Sequence, residues 1–222
     1  HRDLHSFPTR RSSDLHINHV TVNSSGRSGI DLNGVAGGTI NDVTITDSVY
    51  GVGLALTDTS NVAVSNVTTS GNAWGGMAIY VKGASYTGGS ANISLTGTNS
   101  FAETQNFYIQ EENGYEVTGF TQTDFGFTVV NETDAPGFIF FYKTQAEATA
   151  VALGMNNPVD SVITDLTSDT FLVVPGLSIQ AANDDASAGE TIIVADGTYT
   201  YQTAGITLPT LPDLQKGLIN IY

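Results

Sequence analysis

A set of large aromatic and polar residues offers the clearest binding chemistry in this sequence. Their side chains are expected to lie in turns or to point outward from strands, and the set consists of Arg27, Tyr50, Trp74, Tyr80, Lys82, Tyr108 and Gln110. Aromatic faces can stack on sugar rings, and Arg, Lys and amide groups donate hydrogen bonds to hydroxyls or uronate carboxylates. The set therefore predicts a surface for a polysaccharide or a host or cell-surface glycan. The alternative, which residue type alone favours, is that the rings only pack on neighbouring turns or on an insertion at residues 83 to 90.

Two histidines near the start of the chain raise the question of a metal site. His16 and His19 lie three residues apart, and the repeat described below places Asp42 and Asn66 at the positions equivalent to His19. Two His and one Asp hold Zn²⁺ only with a fourth ligand or a water molecule. We therefore predict a polar row of turn residues with a His–Asp hydrogen bond, no metal site and no cofactor. Weak Ca²⁺ binding at Asn and Asp turns is the less favoured alternative, because no Gly-Gly-x-Gly-x-Asp motif occurs.

A repeat of 23 to 24 residues positions these side chains. Its first half reads Ile17–Val22, Ile40–Ile45 and Val64–Thr69, and its second half reads Gly29–Leu32, Gly53–Leu56 and Gly76–Ile79. Each segment alternates apolar and polar residues, which is typical of short strands with one buried face, and Gly, Asn, Asp and Ser mark turns between them. Such a unit cannot bury its apolar face alone, but it can when stacked on its neighbour. Stacking places Arg27, Tyr50 and Trp74 in the same turn of three successive repeats.

The pattern continues less regularly to about residue 130. An insertion at residues 83 to 90 precedes the strand Ile93–Leu95. We interpret Phe107–Ile109 and Phe125–Val129 as later repeats whose inward positions have become aromatic. About five stacked repeats are expected between residues 16 and 130, at one strand spacing each.

The composition changes from Asn131 onward. Phe138–Tyr142 predicts a compact apolar strand, and Thr144–Glu147 is a capping box that opens a short helix, which Gly154 can close. We expect residues 131–170 to form a cap or linker that contains this helix.

The most specific family signal lies in residues 171 to 199. Ser178 is suited to cap a helix that begins Ile179-Gln-Ala-Ala, Gly189 permits the turn into the strand Thr191–Val194, and a Gly-Thr-Tyr turn follows. Together with the repeat, this segment resembles the right-handed parallel β-helix of the pectin-lyase-like superfamily. The resemblance implies an all-β solenoid with short capping helices. Residues 16–130 would then be the last coils of a first β-helix, and residues 171–222 the cap and first coils of a second, with a strand at Ile206–Leu208.

The resemblance leaves the activity open, because this fold carries lyases, hydrolases, adhesins and passive stalks. A lyase of this kind would need clustered carboxylates around Ca²⁺ with a nearby base, and a glycosidase would need two carboxyl groups about 5 to 9.5 Å apart. Asp31 has Ala55 and Ala78 at its equivalent positions, so no acidic row forms there. We expect no catalytic residue in this chain. A polysaccharide lyase or glycoside hydrolase with catalytic coils outside it is the alternative.

The composition bears on the cellular location of the protein and on the classes of partner that it can bind. The 222 residues include no Cys, 7 Lys and Arg, and 22 Asp and Glu, giving a net charge of −15. This balance argues against nucleic acid as a partner, because nucleic acid binding needs basic patches. No apolar run reaches the roughly 18 residues of a membrane-spanning helix. The absence of Cys fits an exported bacterial protein, and we expect an extracellular or cell-surface location.

Residues 1–15 share no pattern with the remainder and resemble the translation of one frame of a common short-read sequencing adapter. We therefore expect them to be foreign to the protein. The function predicted from the remainder is a structural, adhesin or glycan-binding module within an exported bacterial β-helix repeat protein.

Overall fold

The computed structural model describes residues 15–82, 89–199 and 217–221. Strands make up 47% of the chain and helices are few, so the protein is β-rich, as the sequence predicts. Two compact subdomains are present. The first subdomain holds the described residues up to Ala102 together with Glu111–Gln122, and the second holds Glu103–Gln110 and the described residues from Thr123 onward.

The first subdomain contains nine strands. They are β1 (Leu15–Asn23), β2 (Ile30–Asn33), β3 (Ala36–Thr46), β4 (Leu54–Thr57), β5 (Ser60–Ser70), β6 (Met77–Val81), β7 (Ala91–Thr96), β8 (Ser100–Phe101) and β10 (Thr121–Gln122).

These strands form two sets of parallel neighbours that alternate along the chain. One set runs in the order β1-β3-β5-β7-β10, with β8 beside β5, and the other runs β2-β4-β6. Ile17 pairs with Ile40 and Ile40 with Val64, while Leu32 pairs with Leu56 and Leu56 with Ile79. The predicted repeat register of 23 to 24 residues is therefore confirmed in both sets.

Inward side chains of successive repeats form the core of this subdomain. Ile40, Val43 and Ile45 of β3 are at most 1% exposed, and so are Leu54 and Leu56 of β4. Burial of side chains of this size supplies about 1.5–3 kcal/mol each relative to solvent exposure. Because the inward side chains of each repeat pack against the equivalent side chains of the repeats on either side, the repeats are stable only when stacked.

Rows of left-handed backbone residues mark where the chain turns within each repeat. His19, Asp42 and Asn66 occupy one equivalent position, and their φ angles are 54°, 53° and 53°. A second row holds Asn61 and Asn92, with φ angles of 55° and 52°. Asn, Asp and Gly tolerate this conformation better than other residues, which explains why the turns of this sequence are rich in them.

The second subdomain is built from β9 (Phe107–Glu111), β11 (Phe127–Asn131), β12 (Phe138–Tyr142), β13 (Ser161–Asp165), β14 (Thr170–Val173), β15 (Glu190–Val194) and β16 (Gly217–Ile221). Antiparallel pairs link β9 to β12, β12 to β11, β11 to β13, and β13 to β14. From β14 to β16 the neighbours are parallel.

The interpretation of Phe125–Val129 as another parallel repeat is wrong, because β11 lies between two antiparallel neighbours. The six residues between β11 and β12 are too few for a parallel crossover, which takes a dozen or more residues, so the connection must be a hairpin. Alternation of apolar residues predicts a strand but not the direction of its partner.

Both predicted helices form with their predicted N-caps, and the first of them ends at Gly154 with Met155 rather than Gly154 as its C-cap. Helix α1 spans Gln145–Gly154, and the Thr144 side chain and the Glu147 side chain complete the capping box. Helix α2 spans Ile179–Asp185, and the Ser178 side chain accepts a hydrogen bond from the Ala181 N–H. The predicted strands at residues 138–142 and 191–194 are confirmed as β12 and β15.

Several predictions fall on residues that the structure does not describe. Residues 1–14 of the foreign-looking segment, residues 83–88 of the insertion and the strand at Ile206–Leu208 lie outside the described ranges. Leu15, the last residue of the foreign-looking segment, is described: it lies in β1 and pairs with Gly38 of β3.

Candidate functional site: an aromatic turn shelf

Three stacked turns bring the first three predicted binding residues onto equivalent positions. Arg27 lies between β1 and β2, Tyr50 between β3 and β4, and Trp74 between β5 and β6. Backbone hydrogen bonds connect the turns, from the Val49 N–H to the Ser25 carbonyl at 2.8 Å and from the Ala73 N–H to the Ser48 carbonyl at 3.0 Å. Neighbouring turns in such a stack are about 4.8 Å apart, the spacing of adjacent strands.

The middle turn is one residue longer than the other two. The Ala73 N–H binds the Ser48 carbonyl, and the next residue, Trp74, donates its N–H to the Gly51 carbonyl at 3.1 Å. Val49 and Tyr50 therefore form a two-residue bulge that is held at both ends by the following turn. The bulge explains why Val49 and Tyr50 remain 51% and 66% exposed, beside a Trp74 that is 53% exposed.

We call the group Arg27, Val49, Tyr50 and Trp74 the turn shelf. Arg27 is also exposed and forms no ion pair with any residue that the structure describes. Sequence reasoning missed Val49, although its position beside Tyr50 in the longest of the three turns was the available signal. Large exposed apolar side chains that cluster on a surface mark binding sites more often than scattered ones do.

Buried contacts hold the turn shelf in place from below. The Asn72 side chain is buried, accepts a hydrogen bond from the Ser48 N–H at 3.0 Å and donates to the Ile45 carbonyl at 3.3 Å. Gly51 lies so close to Ser28 that a Cβ atom at Gly51 would be 2.5 Å from the Ser28 nitrogen. The backbone that carries Tyr50 and Trp74 is therefore fixed before any ligand binds, which lowers the entropic cost of binding.

Tyr80 and Lys82 form a separate pair. Tyr80 is half-buried and Lys82 is exposed, and the Lys82 Nζ lies 5.4 Å from the centroid of the Tyr80 ring. From Met77 to Lys82 an extended chain covers roughly 16 Å, so this pair lies at the opposite end of β6 from Trp74. A cation–π contact of this kind is enough to account for the two side chains.

The prediction that Tyr108 points outward is wrong. Tyr108 is 4% exposed, and its ring centroid lies 5.4 Å from that of Phe138 and 5.8 Å from that of Phe140. The antiparallel pairing of β9 with β12 places Tyr108 directly opposite Phe140 and Gln110 opposite Phe138. Tyr108 is therefore a core residue of the second subdomain, and its ring has no exposed face on which a sugar could stack. Gln110 is half-buried.

The histidine positions form the predicted polar row. His19 Nδ1 hydrogen-bonds Asp42 Oδ2, with the two side chains 72% and 60% exposed, and His16 Nδ1 lies 2.7 Å from Thr39 Oγ1. Within the described ranges, no group of three or more His, Asp or Glu side chains is arranged to hold a metal ion. The pairing of Asp31 with Ala55, and of Ala55 with Ala78, confirms that no acidic row forms at this position.

No helix among the described residues is long and apolar enough to cross a membrane. Comparison of the chain with protein-family models, with curated proteins and with solved structures returns no match.

Proposed function

We propose that this chain is a glycan-binding module of an exported β-helix protein, and that the turn shelf is its binding surface. The single observation that carries the proposal is the joint exposure of Tyr50 and Trp74 on adjacent stacked turns, with Arg27 on the third. Two aromatic rings on a rigid support present flat apolar faces for sugar rings. The Arg27 guanidinium supplies hydrogen-bond donors for hydroxyl groups.

We further propose that the first subdomain is a right-handed parallel β-helix of the pectin-lyase-like kind. Support comes from the two parallel sets of strands, which alternate along the chain and share a register of 23 to 24 residues. We propose right-handed coiling because connections between parallel strands of one sheet are right-handed in about 98% of cases. The strands β14, β15 and β16 are parallel neighbours, and the capped helix α2 lies between β14 and β15 in the chain. This order is in keeping with the start of a second β-helix.

We also propose a location outside the cell, either secreted or at the cell surface, with which the absence of Cys is in keeping. In this setting the stacked repeats would serve as an adhesive or spacing element. Neither a cofactor nor a nucleic acid partner is part of the proposal.

Trp74 is the single Trp of the chain, so its fluorescence reports directly on the turn shelf. We would screen the wild-type chain on a glycan array and then titrate each positive oligosaccharide while recording Trp74 emission. Binding is expected to change the emission and to be lost in Trp74→Ala, with calorimetry replacing fluorescence for that variant. Tyr50→Ala keeps the reporter and is expected to weaken binding by at least about tenfold, since truncation of a Tyr hot-spot residue at a binding surface costs about 2 kcal/mol or more.

Tyr115→Ala is the matched control, because Tyr115 is an exposed aromatic residue of the first subdomain outside the turn shelf. This variant should bind as the wild type does. The proposal is wrong if no glycan binds, or if Trp74→Ala and Tyr50→Ala bind glycans as tightly as Tyr115→Ala does. A circular dichroism spectrum dominated by helix would contradict the β-helix assignment.

A further inference from the structure

We propose that the turn shelf selects neutral glycans and discriminates against polyuronates and other polyanionic glycans. This inference rests on the proposed glycan-binding function and adds the class of ligand. It follows from the charges that surround the turn shelf.

The turn shelf carries one positive charge, that of Arg27. In the described part of the first subdomain the other basic side chain is Lys82, which lies at the far end of β6 with its Nζ near the Tyr80 ring. A strand length of roughly 16 Å separates Lys82 from the turn that holds Trp74. This distance exceeds the Debye length of about 8 Å at physiological ionic strength, so Lys82 contributes little to the potential at the turn shelf.

Two carboxylates, those of Asp47 and Asp31, lie in or next to the turns of the turn shelf, against the single guanidinium of Arg27. Asp47 begins the turn that carries Tyr50, and Asp31 follows Arg27 by four residues at the start of β2. Both side chains are exposed. A ligand that approaches the turn shelf therefore meets a negative potential, relieved at one point by Arg27.

A polyuronate carries one carboxylate on each sugar. If it lay across Trp74, Tyr50 and Arg27, one carboxylate could pair with Arg27, and the remaining ones would face the carboxylates of Asp47 and Asp31. A neutral hexose polymer has the same ring faces for stacking and hydroxyl groups that accept hydrogen bonds from Arg27, without this repulsion. For a polyuronate, one favourable pair with Arg27 is thus set against repulsion of its other carboxylates by Asp47 and Asp31, a cost that the neutral polymer does not meet.

The test compares two oligomers of equal length, cellohexaose as the neutral probe and hexagalacturonate as the anionic probe. Each is titrated into the wild-type chain while Trp74 emission is recorded at low and at high NaCl concentration. We expect cellohexaose to bind with an affinity that does not depend on salt, and hexagalacturonate to bind at least about tenfold more weakly at low salt. The difference should narrow at high salt, because screening weakens the repulsion.

A double variant, Asp31→Asn with Asp47→Asn, tests the cause of the selectivity. It removes two exposed carboxylates but leaves the aromatic rings and Arg27 in place, so the preference for cellohexaose should fall by several-fold at low salt. Arg27→Gln should weaken cellohexaose binding and increase the preference for the neutral probe, because hexagalacturonate loses its one cationic partner.

The outcomes separate this inference from the proposed function. Hexagalacturonate binding as tight as that of cellohexaose, lost in Trp74→Ala and weakened by salt, would overturn the selectivity while leaving the binding surface in place. An unchanged preference in the Asp31 and Asp47 double variant would also overturn it, since the carboxylates would then not be the cause. Absence of binding by either probe together with a blank glycan array would overturn the proposed function itself.

Discussion

Gly53 is the position at which the stacking of the repeats can be tested most sharply. It lies directly before β4, and its equivalents in the neighbouring repeats are Gly29 and Gly76. A Cβ atom added at Gly53 would lie 2.7 Å from the Gly76 carbonyl oxygen, 2.8 Å from Thr69 Cγ2 and 3.0 Å from Asn72 Nδ2. Gly53→Ala therefore forces a close contact in three directions.

Displacement of any of these three groups would break a hydrogen bond or disturb buried packing. The Gly76 carbonyl accepts the hydrogen bond from the Leu54 N–H at 3.0 Å, Thr69 is 1% exposed, and Asn72 bonds both Ser48 and Ile45. Overpacking of a tight site costs about 1–3 kcal/mol, and displacement of the Asn72 amide adds about 1 kcal/mol for a lost hydrogen bond. We expect Gly53→Ala to lower the free energy of unfolding by about 2–4 kcal/mol.

Gly26→Ala is the matched control. Gly26 lies in the equivalent turn of the preceding repeat, and an added Cβ atom would meet no atom within 4 Å. The same substitution at this position should be neutral or should stabilise by about 0.4–1 kcal/mol, because it restricts the unfolded chain. At about 2–4 °C per kcal/mol for a chain of this size, a difference of about 2–5 kcal/mol between the two variants should separate their Tm values by roughly 4 to 20 °C.

Thermal unfolding followed by far-ultraviolet circular dichroism measures this difference. Equal Tm values for Gly53→Ala and Gly26→Ala would refute the reasoning, because an added methyl group should destabilise the crowded site at Gly53 and not the open site at Gly26. Destabilisation by both variants to the same degree would refute it too, since it would indicate a general intolerance of side chains in these turns.

Three further predictions concern the second subdomain and can be measured by urea unfolding. Asn131 is fully buried; its side chain donates to the Ser161 hydroxyl at 2.7 Å and the Asn157 carbonyl at 3.1 Å, and accepts from the Asp134 N–H at 2.7 Å. Asn131→Ala should lower the free energy of unfolding by about 2–3 kcal/mol, because it leaves these buried partners unsatisfied. A loss no larger than that of an ordinary surface substitution would contradict the role of this network. Burial, reinforced by the nearby Glu147 carboxylate, raises the pKa of the Tyr142 hydroxyl, so stability should fall as the pH rises above about 10, where the unfolded tyrosine ionises. That hydroxyl has no hydrogen-bond partner among the described residues. Tyr142→Phe should therefore leave stability at neutral pH nearly unchanged and reduce the loss of stability at alkaline pH. If the variant and the wild type lost equal stability at alkaline pH, Tyr142 would not be the cause. Thr144→Ala removes the cap of α1 and should cost about 1 kcal/mol, whereas Thr144→Ser should restore most of it.

The repeat could be predicted from sequence because its determinants are local. Alternating Val, Ile and Leu specify one buried face, and the constant spacing aligns the faces of successive units, as the pairing of Ile17, Ile40 and Val64 confirms. The caps of both helices were predictable for the same reason, since Thr144 and Ser178 act on N–H groups only three residues away.

The direction of strand pairing in the aromatic region was not predicted, because it depends on partners distant in sequence. Phe127–Asn131 has the alternation of a strand whether its neighbours are parallel or antiparallel. The length of the connection to Phe138 is what separates the two cases. The error in Tyr108 follows from the same cause, since its face of β9 is covered by the aromatic side chains of β12.

The candidate site lies where the repeat is least regular. Successive strands must keep their inward residues in register, so they leave little freedom for new chemistry. The turns have no such constraint beyond returning the chain to the next strand. The turn between β3 and β4 uses this freedom for the Val49–Tyr50 bulge, which Ser48 and Gly51 anchor to the following turn. A binding surface of this kind can therefore change its side chains and its ligand without altering the buried core, and for this reason the turns, rather than the strands, carry the information about function.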